Sequence, residues 1–350
     1  MNKFLSDSCN NLKPYTPGEQ PQDKKYIKLN TNENPYPPSK SVLKGLKEAI
    51  DDDLKLYPEP ESDFLKDKIA SYYDIKTENI FLGNGSDEIL ALAFMAFYQN
   101  SKVVFPEITY SFYPVYANLF KCDVTQIKMN NLKVDTNGFY NQKKGVIIAN
   151  PNAPTGEFIT LDVIEKIAAT NKDNVVLIDE AYIDFGGESA IKLITKYNNL
   201  LIVQTFSKSR SLAGIRLGMA FGSKEIISGL NMVKNSFNSY PINMITQKGA
   251  YKSFEDDKYF KEICNKIIKT REESILQLQE IGLNILPSKA NFIFVSSDVI
   301  NGKQLYLKLK DKGILVRHFD LPIIANYVRI TIGTKVQMKE LIKAIKLILN

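Results

Sequence analysis

The sequence predicts an α/β protein: a large unit built on a mostly parallel sheet covered by helices, followed by a smaller α+β unit. Between about residue 41 and residue 245, short β-branched runs alternate with longer segments of helical period, the pattern of strands joined by helices. After about residue 250 the alternation gives way to a long charged helical stretch, then short strands and helices. A third observation concerns chemistry. Unusual polar segments fall at strand ends or at a helix start, where open α/β sheets hold their ligands.

The elements follow in order. Residues 1–40, rich in Pro, Asn and Tyr, read as an irregular arm with one short strand at Tyr26–Leu29. Strands are expected at Lys102–Phe105, Gly145–Ala149, Val175–Ile178 and Leu200–Thr205, and helices at Asp87–Tyr98, Leu161–Thr170 and Ser223–Lys234. One helical stretch is expected from Phe254 to Ile281. Beyond it Asn291–Val295, Ile314–Arg317 and Tyr327–Thr331 read as strands, with helices near Gly302–Lys312 and from Lys335. The expected division is an arm with part of the smaller domain over 1–40, a large domain over 41–250 and a small domain over 251–350. The long helix could bridge the last two.

A chain of 350 residues with 44% hydrophobic and 24% charged content can bury a substantial core. Its net charge of +6 is dispersed rather than gathered into a stripe, which argues against a nucleic-acid partner and suits a small anionic substrate. Cys9, Cys122 and Cys264 are odd in number and far apart, so no disulfide framework is expected. His318 is the single histidine, which excludes His-rich zinc sites; no metal is expected. The first twenty residues lack an apolar core, and the apolar stretch Ile89–Tyr98 is too short to span a bilayer. The expectation is a cytoplasmic protein with no membrane partner.

Four segments carry candidate chemistry. Gly83-Asn84-Gly85-Ser86-Asp87-Glu88 precedes a helix; small residues let backbone approach a phosphate, and the helix start offers free N–H groups. Ser86 with Glu88 nearby also reads as a plain N-cap. Asn150-Pro151-Asn152-Ala153-Pro154-Thr155-Gly156 follows an apolar strand and reads as a rigid turn that admits a cis bond, or as an ordinary loop. Asp179-Glu180-Ala181-Tyr182 closes another strand. A buried carboxylate there needs a partner, whether a protonated ring nitrogen, a metal or a turn. Ser207-Lys208-Ser209-Arg210, with Arg216 beyond, ends a fourth strand. Positive neighbours would make such a lysine less basic; a surface lysine is the plain alternative.

Taken together and in order, these segments resemble the fold-type I, class I/II aminotransferases, and within them the histidinol-phosphate aminotransferase family. The likeness extends through Leu29-Asn30-Thr31-Asn32-Glu33-Asn34-Pro35-Tyr36, Leu56-Tyr57-Pro58, Phe206-Ser207-Lys208, Ala213-Gly214-Ile215-Arg216-Leu217-Gly218 and Val328-Arg329-Ile330-Thr331-Ile332-Gly333-Thr334. It implies a seven-stranded sheet in the large domain and pyridoxal 5'-phosphate as cofactor, joined as an imine to Lys208, which would also shuttle a proton. Asp179 would pair with the pyridinium nitrogen, and Tyr182 would bond the ring's phenolic oxygen. Ser86, Asp87 (through its backbone N–H), Ser207 and Arg216 would hold the phosphate, while Tyr110 would stack on the ring. Arg329 would take the amino-acid carboxylate, and Arg317, otherwise a solvated surface arginine, the other substrate's phosphate. Tyr15 and Asn32 would close over substrate. Tyr57 would reach the neighbouring subunit's cofactor phosphate, implying a homodimer.

One position departs from the pattern. Many family members place Asn before Pro-Thr-Gly to contact the ring oxygen; here it is Ala153, and Asn152 is the nearest replacement. The implied reaction interconverts histidinol phosphate and 2-oxoglutarate with imidazole-acetol phosphate and glutamate. A sibling aminotransferase acting on another small phosphorylated keto or amino-alcohol compound, or on aromatic amino acids, would share the same machinery. A phospho-amino-acid decarboxylase would also share the scaffold, and a non-enzymatic regulator is the remaining alternative.

Overall fold

The computed structural model describes residues 3–6, 9 and 12–349. Regular structure begins with β1 (Ile27–Lys28), then α1 (Lys40–Glu48), whose first turn is capped by the Ser39 hydroxyl, and α2 (Asp63–Tyr73). Next come β2 (Ile80–Gly83), α3 (Gly85–Ala93), β3 (Lys102–Pro106), α4 (Phe112–Leu119) and β4 (Asp123–Ile127). A short hairpin, β5 (Met129–Asn130) and β6 (Lys133–Val134), leads to β7 (Gly145–Ala149), α5 (Leu161–Thr170), β8 (Val176–Asp179) and β9 (Leu200–Thr205). The strand β10 (Gly218–Gly222) is followed by α6 (Lys224–Phe237), α7 (Met244–Glu255) and α8 (Asp257–Glu280). The last part holds β11 (Leu283–Ile285), β12 (Phe292–Ser297), α9 (Gly302–Asp311), β13 (Ile314–Leu315), β14 (Arg317–His318), β15 (Tyr327–Thr331) and α10 (Lys335–Leu349).

Seven strands form one sheet in the order β2-β10-β9-β8-β7-β3-β4. Neighbours are parallel except at β10, which is antiparallel to both β2 and β9. This is the expected mostly parallel α/β sheet. Successive residues enter opposite cores: Val146, Ile148, Val176 and Ile178 pack in one, Ile147, Ala149 and Leu177 in the other. Both faces are covered, so these strands read as unbroken apolar runs rather than alternating ones.

The reversal at β10 matters for the site. Gly218 pairs with Gly83 on one side and Thr205 on the other, so β2 ends, β10 begins and β9 ends at one edge. The parallel strands β7 and β8 end there too. A second, antiparallel sheet has the order β11-β12-β15-β14. β1 pairs with β13, the Leu29 amide donates to Leu315 O, and Leu29 O accepts from the Thr331 amide. These bonds fix the chain just before Asn30, and Asn34 then reaches the carbonyls of Lys208 and Ser209.

Several elements differ from the sequence reading. The helix expected over Asp87–Tyr98 starts at Gly85, and its last part, Phe94–Tyr98, is π-helical. The stretch from Phe254 to Ile281 is two helices, because the chain turns at Asp256 with φ −99° and ψ 49°. Ile314–Arg317 divides into two short strands in different sheets. β10 (Gly-Met-Ala-Phe-Gly) escapes the sequence reading because it has no β-branched residue, and β4 because it is an edge strand with exposed side chains. Among the described residues, no helix is long and apolar enough to cross a membrane. No group of three or more His, Cys, Asp or Glu among them is placed to hold a metal ion.

Candidate active site

The strand ends at this common edge open into a cavity of about 220 Å³. Its walls come from the large sheet, from Asn30–Glu33 and from the β14–β15 pair.

One end of the cavity is an anion cradle. Asn84, not Ser86, is the N-cap of α3, and Glu88 reaches back to accept the Asn84 amide at 2.5 Å. Ser86 therefore lies inside the first turn and lines the cavity, and the first helical amides have no intrahelical partner. Gly85 has φ +81°, and a Cβ there would meet Arg216 Nη2 at 2.6 Å. A Cβ on Gly218 would sit 2.6 Å from the Ser86 nitrogen. The two glycines let the guanidinium and β10 press against the helix start. Arg216 is itself left-handed at φ +54°, a costly conformation for a long side chain. It donates to Ser207 Oγ at 3.4 Å and to Asp87 Oδ2 at 3.2 Å. The other Asp87 oxygen accepts the Tyr110 hydroxyl at 3.0 Å. The carboxylate of Asp87 thus orients Arg216 and Tyr110, a role additional to that of its backbone N–H.

The floor is Asp179, the buried last residue of β8. It accepts from the Tyr113 hydroxyl at 2.8 Å and the Ala181 amide at 3.1 Å. Burial pushes its carboxyl up to about 6, the mark of an acid that lacks a cationic partner.

Lys208 Nζ donates to Thr31 O at 3.2 Å and lies 5.9 Å from the centre of the Tyr182 ring. Burial first, and then the Arg329 charge, push its ammonium down to about 8. The loop that carries it is clamped. Asn34 Nδ2 donates to both Lys208 O and Ser209 O, and the Ser209 hydroxyl donates to Asp184.

The opposite wall offers two guanidinia. Arg317 and Arg329 are register partners across β14 and β15, and both line the cavity. Arg329 Nη2 donates to Asn30 O at 3.0 Å, while its buried Nε has no partner. Arg317 donates to Pro17 O and Thr16 O at 3.3 and 3.1 Å, which ties it to the arm rather than leaving it a solvated surface residue. Tyr15 lines the same cavity and stacks on Phe112 at 4.3 Å. Asn32 is buried, with φ +56°, and its amide donates to the Tyr182 hydroxyl at 3.0 Å.

One expected residue does not come to the cavity. Asn152 is buried inside its own turn: its Nδ2 donates to Ile108 O and Thr155 Oγ1, and its Oδ1 is buried without a partner. Ala153 lines the cavity instead, so the idea that Asn152 replaces the missing amide is corrected. Tyr57 is 81% exposed and stacks on Tyr240, outside this chain's own cavity.

The structure also adds residues the sequence reading lacks. Tyr113, in the first turn of α4, bonds Asp179; Asn34 sits within the quoted Asn-Glu-Asn-Pro run; Asp184 follows Tyr182 on a short 3-10 turn. Tyr113 and the two clamps all depend on tertiary approach. The assembled groups can hold a planar cationic heterocycle with a phosphate at one end, beside an amine of lowered basicity, with guanidinium sites for further anions.

Comparison with known proteins agrees with this geometry. The family described as aminotransferase class I and II matches residues 24–345. A histidinol-phosphate aminotransferase from Brachyspira hyodysenteriae is 55% identical, with all of this chain and all of that protein covered. The crystal structure of the histidinol-phosphate aminotransferase from Clostridium acetobutylicum superposes with a TM-score of 0.84 at 26% identity, covering 93% of this chain and 99% of that one. The fold is also shared with the histidinol-phosphate aminotransferase of Sinorhizobium meliloti in complex with pyridoxal-5'-phosphate, at a TM-score of 0.85 and 23% identity, over 93% of this chain and 91% of that one.

Proposed function

This chain belongs to the class I and II aminotransferases, and from that premise we propose that it interconverts histidinol phosphate and 2-oxoglutarate with imidazole-acetol phosphate and glutamate. Full-length identity to the Brachyspira relative supports the substrate. The observation that carries the chemistry is Lys208, an amine pushed down to about 8 and placed among the anion cradle, the buried acid Asp179 and two arginines.

The residues present fit pyridoxal 5'-phosphate. The Gly85–Gly218 approach forms a cradle that any Cβ would fill, Asp179 is a buried carboxylate without a cation, and Arg329 Nε is a buried donor without an acceptor. Ser86, Ser207, Arg216 and the first amides of α3 would hold the phosphate, Asp179 the ring nitrogen, Tyr182 the phenolic oxygen and Tyr110 the ring face. When bound, the cofactor supplies an electron sink that makes the substrate's Cα proton acidic.

The chain's own groups do the rest. Lys208 Nζ, partly neutral near neutral pH, can accept that proton. Arg329 would bind the substrate carboxylate through a planar fork. Arg317 would meet the phosphate of histidinol phosphate. Tyr15, with the arm segment bonded to Arg317, would cover the bound substrate and exclude water.

The same reading makes Tyr57 a residue for the neighbouring subunit's phosphate. Its exposure, its stacking on Tyr240 and the exposed Leu54 and Leu56 beside it support a homodimer.

The test is a panel with 2-oxoglutarate as acceptor, offering histidinol phosphate, serinol phosphate and phenylalanine. Histidinol phosphate should be preferred by at least about tenfold in kcat/KM, and Lys208→Ala should lose both turnover and visible cofactor absorbance. Equal rates across the panel would overturn the substrate, and an active, coloured Lys208→Ala protein would overturn the mechanism.

A further inference from the structure

The geometry around Tyr182 assigns Asn32 a task that substrate closure does not describe. Asn32 is fixed on every side. Its backbone amide donates to Thr331 Oγ1 at 3.0 Å, and the same hydroxyl donates back to Asn32 Oδ1 at 3.0 Å. Its carbonyl accepts from Asn291 Nδ2 at 2.9 Å. Because Thr331 Oγ1 already accepts one proton, its own goes to Oδ1, and the Asn32 amide must present NH₂ to Tyr182. Asn32 Nδ2 then donates to the Tyr182 oxygen at 3.0 Å. That bond fills an acceptor position on the hydroxyl and leaves its proton for an acceptor in the cavity.

Across the cavity, Pro151 and Ala153 offer no side-chain donor. The charges that face Tyr182 are Arg329 from β15, Asp179 at the end of β8, Asp87 in α3 and Lys208. Burial is the main influence on its phenol and raises it above its ordinary value, so Tyr182 keeps the proton that Asn32 directs.

We propose that Asn32 is a positioning residue that aims the Tyr182 proton at the phenolic oxygen of the bound cofactor, a donation left to Tyr182 because Ala153 carries no amide. The proposal rests on the reading that Lys208 holds pyridoxal phosphate. A donor on the phenolic oxygen stabilises its anion and weakens its hold on the proton shared with the nitrogen that joins Lys208 to the cofactor. That nitrogen therefore loses its proton at lower pH. Removing the aim should raise the midpoint.

The experiment titrates the visible absorbance of the holoenzyme against pH. Asn32→Gly suits the positive φ, adds no charge and removes the donor. Its midpoint should rise by about one unit or more, the size of one hydrogen bond to a charged group. Asn32→Asp keeps the bond from Thr331 but draws the Tyr182 proton to itself, and should shift the midpoint further; if the glycine variant fails to fold, Asn32→Ala, likewise neutral and without the donor, takes its place. Ala153→Asn, which places an amide on the other wall, should return at least half the shift in either background. An unmoved midpoint in Asn32→Gly overturns the proposal, as does a shift confined to Asn32→Asp, which would reflect added charge alone. A wild-type protein that develops no visible absorbance with pyridoxal phosphate would instead overturn the reading of Lys208.

Discussion

At the scale of single residues, the site is a set of groups held away from their ordinary protonation. Lys208 attacks a carbonyl only as the free amine, and its ammonium titrates near 8. Capture of pyridoxal phosphate by the cofactor-free protein should therefore accelerate as pH rises from about 7 to 9 and level off above the pKa. Stopped-flow absorbance would show this, and Arg329→Gln should move the profile to higher pH by removing a positive neighbour. A rate that is flat across this range would contradict the placement of Lys208. Asp179 works in the opposite sense. Its folded carboxyl, near 6, lies above the unfolded value of about 4. Its contribution to stability is therefore full below about pH 4 and lost as pH rises through 6. Asp179→Asn should make the cofactor-free protein about 1–3 kcal/mol more stable at pH 7.5, with less gain at pH 5, while sharply weakening cofactor binding. Urea unfolding at the two pH values checks the sign.

At the scale of elements, the parts that could be read from sequence are those whose local signal is strong. β7 and β9 are unbroken apolar runs buried on both faces and match their expected bounds, as does α5 with its helical spacing. β10 was not legible, because its job is to be thin: Gly218 lets it approach the start of α3. Asp179 and Lys208 were legible at or after strand ends, and Arg216 by its place after Lys208, in sequence order. The N-cap at Asn84 and the inward burial of Asn152 were not: Glu88 caps Asn84 rather than Ser86, and the Asn84 and Asn152 amides bond to Pro241 O and Ile108 O, far off in sequence. Gly218→Ala tests the close approach. The added methyl must push β10 away from the Ser86 amide, and pyridoxal-phosphate affinity should fall by at least about tenfold with secondary structure preserved. Equilibrium titration of cofactor absorbance would show it, and unchanged affinity would mean that the cradle tolerates the wider spacing.

At the scale of the whole molecule, the cavity exists because two sheets and an arm are held together around it. Arg271 in α8 is fully buried, and its Nη1 donates to both Phe185 O and Ala290 O at 2.8 Å. Phe185 follows the large sheet's Asp179–Tyr182 segment, and Ala290 precedes β12 of the small sheet. Arg271→Met fills much of the volume but orphans two carbonyls, and should cost about 2–4 kcal/mol of stability. Thermal unfolding measures the loss. A variant as stable as wild type would mean that the carbonyls find other donors.

The pairing of Arg317 with Arg329 across β14 and β15 has a kinetic consequence. The reaction alternates between an amino donor and a keto acceptor in one chamber; the strand register sets the two arginine backbones opposite each other, while Thr16 O, Pro17 O and Asn30 O hold their guanidinia. On the proposed reading, both half-reactions would use these two anion sites. A change at Thr16 or Pro17 would act on Arg317, and one at Asn30 on Arg329, so discrimination between the two substrates would fall to the arm.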